Sequence, residues 1–316
     1  MIIDAHSHLW LRQDTTVDGQ HICQLESNRS RSLFFGEERQ MLPPFMIDGV
    51  NSAEVFLSNM NYAQVGAAVV VQEIIDGNQN DYLHEVQQRY PNRFFTMGMT
   101  EFRYGADFLA GTRKVIEMGF KGLAIPGHRL LSVPVSESET EFQVLHLNAP
   151  KMMEMFKLLE QHGLILSMCL GEDETQIGEM AEVIQECPQL KVAIGHFGMV
   201  TTPAFKSQVM LAREGKNVMV ESGGITWLYN SEFYPYPSAV RSIKEAADWV
   251  GMDRLMWGSD YPRTITAITY KMSYDFILKT NELSEQEKVM FLGENAKQFY
   301  GFSNLPELPY IKNMSE

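Results

Sequence analysis

The alternation of short apolar runs with segments of helical spacing constrains this chain more than any other feature. An apolar start at Ile2 and Ile3 is followed by β-branched or apolar runs over residues 66–71, 93–99, 120–125, 164–169, 192–196, 217–221 and 254–260. Runs of this length read as strands buried on both faces. Between them, residues 53–64, 82–90, 106–118, 150–163, 174–186, 203–214 and 238–250 suit helices. Pro150 opens one of these and Gly163 closes it. Ser284 and Glu287 have the spacing of a capping box, whose helix runs toward Tyr300. Strict strand–helix alternation implies a parallel sheet with right-handed crossovers. Eight such units imply an α/β fold closed into a single (β/α)8 TIM barrel.

The 316 residues suit one barrel domain over 1–316, since such barrels need roughly 250 residues plus insertions. Residues 11–49 show no clear period and are expected to form a long active-site loop after strand one. Residues 302–316 read as an extended tail, a strap or an interface arm. The formal charge of −14 disfavours nucleic acid or an anionic membrane as partner. Three cysteines, Cys23, Cys169 and Cys187, form no CxxC pair, so neither a disulfide framework nor a zinc ribbon is expected. No signal-peptide pattern and no run of about 18 apolar residues is present. The expectation is a soluble, cytoplasmic protein whose partner is a small molecule, in an architecture compatible with a homo-oligomer. The 20 methionines read as adaptable core filler.

Within that frame the first ten residues carry the chemistry. His6 and His8 stand two apart on a strand, so both imidazoles face the same side. Two converging imidazoles begin a metal site. Barrel active sites gather at the C-terminal ends of the strands. The residues falling there are His6, His8, Glu101, His128, Arg129, Cys169, Glu172, His196, Glu221, Asp260 and Arg263. Singly, His196 reads equally well as a core histidine, and Asp260 as a helix cap. Three histidines and an aspartate at the ends of strands one, six and eight are far less expected by chance.

Residues 3–10 (Ile-Asp-Ala-His-Ser-His-Leu-Trp), 194–198 (Ile-Gly-His-Phe-Gly), 255–262 (Leu-Met-Trp-Gly-Ser-Asp-Tyr-Pro) and 295–301 (Asn-Ala-Lys-Gln-Phe-Tyr-Gly) resemble signatures of the amidohydrolase superfamily. The resemblance is to its amidohydrolase-2 branch, which holds sugar-acid and pyrone lactonases and aminocarboxymuconate-semialdehyde-type decarboxylases. It spans nearly the whole chain, and residues 11–49 are its poorest part. The opening motif leans toward the lactonases. The resemblance implies that His6, His8 and Asp260 face one divalent metal, zinc or manganese, with His196 a ligand or a catalytic group. One position departs from the pattern. Cys169 stands where metal-dependent relatives commonly carry a histidine at the end of strand five. A thiolate can bind zinc at about 2.3 Å. Otherwise Cys169 is a small buried hydrophobe, and the site binds metal weakly or works without it.

The activity so implied is hydrolysis of a lactone or related ester of a small sugar acid or carboxylate. Asp260 would be the general base. His6, His8 and His196 would polarise the carbonyl, through a metal or directly. Arg129 and Arg263 would hold a substrate carboxylate. Trp10, Trp227 and Tyr261 would line the pocket, with His128 and Glu221 as further substrate-side contacts. Two alternatives stay open. One is a metal-dependent, non-oxidative decarboxylase of an unsaturated or aromatic acid, with His196 handling a proton. The other is a non-catalytic ligand-binding relative. Specificity is expected in residues 11–49 and 126–150.

Overall fold

β1 (Ile2–Ser7) pairs in parallel with β2 (Val65–Val70), whose six residues are all buried. The computed structural model, which describes residues 1–314, carries this pairing round a full turn. β3 runs over Phe94–Thr96 and, after a break at Met97, over Gly98–Met99. Its first piece pairs with β2 and its second with β4 (Gly122–Ile125). β5 (Ile165–Met168), β6 (Lys191–Ile194), β7 (Val218–Glu221) and β8 (Leu255–Met256) follow, each parallel to its predecessor. Beyond β8 the chain bonds back to β1. Ala5 N donates to Trp257 O at 2.9 Å, Asp260 N to His6 O at 2.9 Å and His8 N to Tyr261 O at 2.7 Å. The fold is the expected (β/α)8 barrel.

The buried Asp4 staples this seam. One carboxylate oxygen accepts from Ser259 N at 2.8 Å and the other from Tyr270 OH at 2.7 Å. Burial pushes Asp4 up to about 6 against the pull of these donors. Ile3, Ala67, Val69, Ile165, Met219 and Met256 fill the barrel interior, and Phe299 and Tyr300 pack beneath them. The β1–β2 register shifts between Asp4 and Ser7. That irregularity lets the inward face pass from Ile3 and Ala5 below to His6 and His8 above.

Residues 11–49 differ from expectation. They hold a four-stranded antiparallel sheet of Asp14–Val17, Gln20–Leu25, Asn28–Phe34 and Glu37–Gln40. The strands are short and mostly polar, so no apolar period betrays them. Two of their turns are legible, however. Asp18-Gly19 and Phe35-Gly36 all have positive φ, between 50° and 81°, as tight hairpin turns require. Trp10 is fully buried against Leu42 and Met46 at the root of this sheet.

Three helical segments also differ in detail. Residues 203–214 form a shorter helix, Phe205–Met210, followed by a 3-10 turn. The last helical run has its capping box at Ser284 and Glu287 but passes through a π-turn at Met290–Glu294. A helix at Met272–Lys279 follows β8 without a clear sequence period. The tail lies along the helix Ala53–Tyr62 and the turn after it, where Tyr62 OH donates to Asn313 Oδ1 at 2.8 Å and Gln64 Nε2 to Pro309 O at 3.0 Å. Its last two residues, Ser315 and Glu316, fall outside the described residues. Among the described residues, no helix is long and apolar enough to cross a membrane.

Candidate active site

His6 and His8 leave the top of β1 buried, at 1% and 2% exposure, with their rings edge to face. Their Nε2 atoms lie 3.1 Å apart. Each ring is backed by a carboxylate on its other nitrogen. His6 Nδ1 lies 2.7 Å from Glu221 Oε1, and His8 Nδ1 lies 2.9 Å from Asp76 Oδ2. An ionised carboxylate only accepts, so the hydrogen-bonded His6 Nδ1 carries the proton and its Nε2 presents a lone pair, whereas His8 faces a carboxylate at each ring nitrogen, Asp76 at Nδ1 and Asp260 at Nε2. Asp260 Oδ1 completes the group, 3.1 Å from His8 Nε2 and 3.7 Å from His6 Nε2. Two ring nitrogens and a carboxylate oxygen converge within reach of one ion, and with the His6 ring proton anchored on Glu221 the set fits a divalent metal. Burial opposes charge on His6, but Glu221 and Asp260 outweigh it and raise its affinity for a proton.

Glu221 sits behind His6 rather than on the cavity wall. It accepts from the backbone N–H of His196 at 3.1 Å and of Gly223 at 2.5 Å. Glycine is needed around this pair. A Cβ on Gly223 would come within 2.9 Å of Glu221 Oε2 and His6 Cγ, and one on Gly258 within 2.7 Å of both side chains.

Asp260 is fully buried and has φ 56°, while His196 has φ 52°. Non-glycine residues in this region store on the order of 1–3 kcal/mol each, and such strain clusters at functional sites. Trp227 Nε1 donates to Asp260 Oδ2 at 2.7 Å, and Arg263 Nη1 lies 3.3 Å from Oδ1. Burial pushes the Asp260 carboxyl up, but Arg263 and His8 outweigh it and hold it well below the usual carboxylate range. His196 donates from Nδ1 to Gly223 O at 3.0 Å, which leaves its Nε2 lone pair free of that bond. Burial, with His6 beside it, lowers the His196 proton affinity and keeps it neutral.

These side chains open on a cavity of about 520 Å³, whose wall includes His6, His8, His196, Asp260, Cys169 and Trp227. Arg263 and His128 also line it. Cys169 joins His6 and His196 in a second group whose ligand atoms lie within 4.8 Å of one another. Burial, then Glu221, pushes its thiol well up, so it stays protonated unless a cation ionises it.

Three expected wall residues lie elsewhere. Trp10 is core beneath the inserted sheet. Tyr261 is buried and stacked on Phe56, with ring centroids 3.9 Å apart. Arg129 points away from the cavity, its guanidinium over Phe35. Of the other strand-end acids, Glu101 pairs with Arg103, while Glu172 lines the cavity. Residues 11–49 contribute nothing to the wall, whereas Pro126 and His128 do. Two acids after β2 escaped the sequence reading. Glu73 lines the cavity, and Asp76 supports both His8 and Arg263. Their signal was their place just past a strand end, in Gln-Glu-Ile-Ile-Asp.

The family model described as amidohydrolase matches residues 3–302. The chain belongs to the amidohydrolase family. No curated protein matches it. Among solved structures, it is similar to a probable 2-pyrone-4,6-dicarboxylic acid hydrolase from Acinetobacter baumannii with citric acid bound. That likeness has TM-score 0.63 and 16% identity, over 95% of this chain and 99% of the other. An amidohydrolase from Burkholderia multivorans with bound zinc gives TM-score 0.65 and 15% identity, over 97% and 100%. A 2,6-dihydroxybenzoate decarboxylase from Rhizobium gives 0.55 and 15%, over 80% and 89%. At these identities the likeness shows the fold.

Proposed function

We propose that this protein is a hydrolase that opens a lactone or related ester by adding water to its carbonyl. The observation that carries this reading is the convergence of two imidazole Nε2 atoms on an ionised Asp260 at the floor of a largely apolar cavity. His6, His8 and Asp260 would hold one divalent cation, and a nitrogen, nitrogen, oxygen set suits zinc or manganese. Bound there, such an ion supplies Lewis acidity and lowers the pKa of water. Asp260 has need of that. A carboxylate held so far down by Arg263 is a weak base, effective only toward acidified water.

Asp260 takes the proton of the attacking water, while Trp227 fixes Oδ2 and so the carboxylate plane. The water oxygen bonds to the carbonyl carbon, and the ring C–O bond breaks. The alkoxide leaves with a proton returned by Asp260 or relayed by His196 through Nε2. A neutral His6 or His196 cannot donate from Nε2, because its ring proton sits on Nδ1. Direct polarisation of the carbonyl by these histidines therefore requires them to be protonated.

The test is turnover of a panel of small lactones by zinc- or manganese-supplemented protein, followed by titration of released acid. Asp260→Asn is expected to lose on the order of 10²–10⁴-fold in kcat. A panel left unopened, with Tm raised by a panel member, would favour the ligand-binding alternative. Release of CO2 from an unsaturated or aromatic acid would favour the decarboxylase.

A further inference from the structure

We propose that the substrate is a neutral lactone or ester with an apolar substituent, and not one bearing a carboxylate. This rests on the hydrolase reading and names its substrate class. The sequence assigns Arg129 and Arg263 to a substrate carboxylate, and the structure commits both elsewhere. Arg263 Nη2 lies 3.0 Å from Asp76 Oδ1 and its Nη1 lies 3.3 Å from Asp260 Oδ1. Arg129 Nε lies 3.4 Å from Glu73 Oε1, its Nη1 lies 3.9 Å from Asp18 Oδ2, and it is not part of the cavity wall.

Among the described residues of that wall, Arg263 is the sole lysine or arginine, against the carboxylates of Glu73, Glu172 and Asp260. The remaining wall is largely apolar, with Val71, Ile125, Pro126, Leu170 and Met199. A carboxylate entering here loses its hydration, finds no free guanidinium and meets acids of its own sign. A divalent cation held by His6, His8 and Asp260 would add charge at the cavity floor and not along the apolar wall. An alkyl or aryl ring, by contrast, gains from burial against those side chains.

The experiment compares kcat/KM for dihydrocoumarin and for its 4-carboxylic acid, with the full-length zinc-supplemented protein. The neutral member is expected to lead by at least about tenfold, the scale of one uncompensated charge contact. Glu73→Gln removes a like charge from the wall, so it is expected to narrow that lead severalfold. Equal or faster turnover of the acid overturns the charge assignment and leaves the hydrolase reading standing. If neither is opened, the hydrolase reading falls and the Tm of the protein with each compound decides. A rise with dihydrocoumarin alone supports the assignment. A rise with the acid, or with neither, overturns it.

Discussion

His6 and His8 turn their Nε2 atoms to within 3.1 Å of one another while each keeps a carboxylate on its Nδ1 side. With Asp260 Oδ1 beside them, these two ring nitrogens lie within reach of one ion. A cation therefore belongs between them. Protein produced with zinc or manganese and without a histidine tag is expected to carry about one equivalent of metal, measured by plasma emission. His6→Ala and His8→Ala should abolish it. Glu221→Gln keeps the shape behind His6 but surrenders the charge, and is expected to weaken metal binding by about 10–100-fold. Full retention of metal in His6→Ala would refute this assignment.

The same pair sets a pH dependence with opposite signs in two states. In metal-free protein the His6 proton affinity is raised by Glu221 and Asp260, after burial has opposed it. A raised folded-state value gives stability that is complete below the unfolded value, about 6.5, and lost as pH climbs through the folded one. His196 and His128 are lowered by burial, so their contributions are already complete above that value. The Tm of chelator-treated protein is thus expected to fall as pH rises above about 6.5, and His6→Gln should flatten the slope. With zinc present the trend reverses, because protons compete with the metal for Nε2. Calorimetry at several pH values, with and without chelator, checks both slopes.

Trp227 holds one oxygen of Asp260 at 2.7 Å, which makes it a positioning residue if Asp260 is the base. Trp227→Phe keeps an apolar wall and removes the donor. A lost hydrogen bond to a charged group is expected to cost roughly tenfold in kcat with KM little changed. A mutant that changes KM alone would reduce Trp227 to wall.

The eight-unit barrel was legible because strands such as Val65–Val70 are continuously apolar and each is followed by a segment of helical period. His6, His8, His196, Cys169, Asp260 and Arg263 were legible because barrel chemistry gathers past strand ends, and the structure brings all six to one cavity. Partnership was not legible. Glu221 reads as a wall acid until its contact with His6 is seen, and Arg263 as free until Asp76 appears 187 positions away. The inserted sheet stayed hidden because its strands bury serines such as Ser30 and Ser32 rather than an apolar stripe. Its Asp18-Gly19 turn was the available clue.

Trp10 tests the last of these points. It closes the Asp-Ala-His-Ser-His-Leu-Trp motif, which makes it look like part of the site. Yet it is fully buried with Leu42 and Met46, and Trp10 N bonds Asn51 O at 3.1 Å where the inserted segment rejoins the barrel. Its work is to clamp the two ends of the insertion. Trp10→Ala is expected to destabilise by about 3–5 kcal/mol, the cost of emptying a large aromatic site, with proteolysis appearing first within residues 11–49. Trp10→Phe fills most of that space and should leave kcat and KM within about twofold, since the side chain does not reach the cavity. Urea unfolding, limited proteolysis and lactone kinetics on the two variants measure this directly. A Trp10→Phe variant that folds with wild-type stability but loses substrate affinity would return Trp10 to the wall.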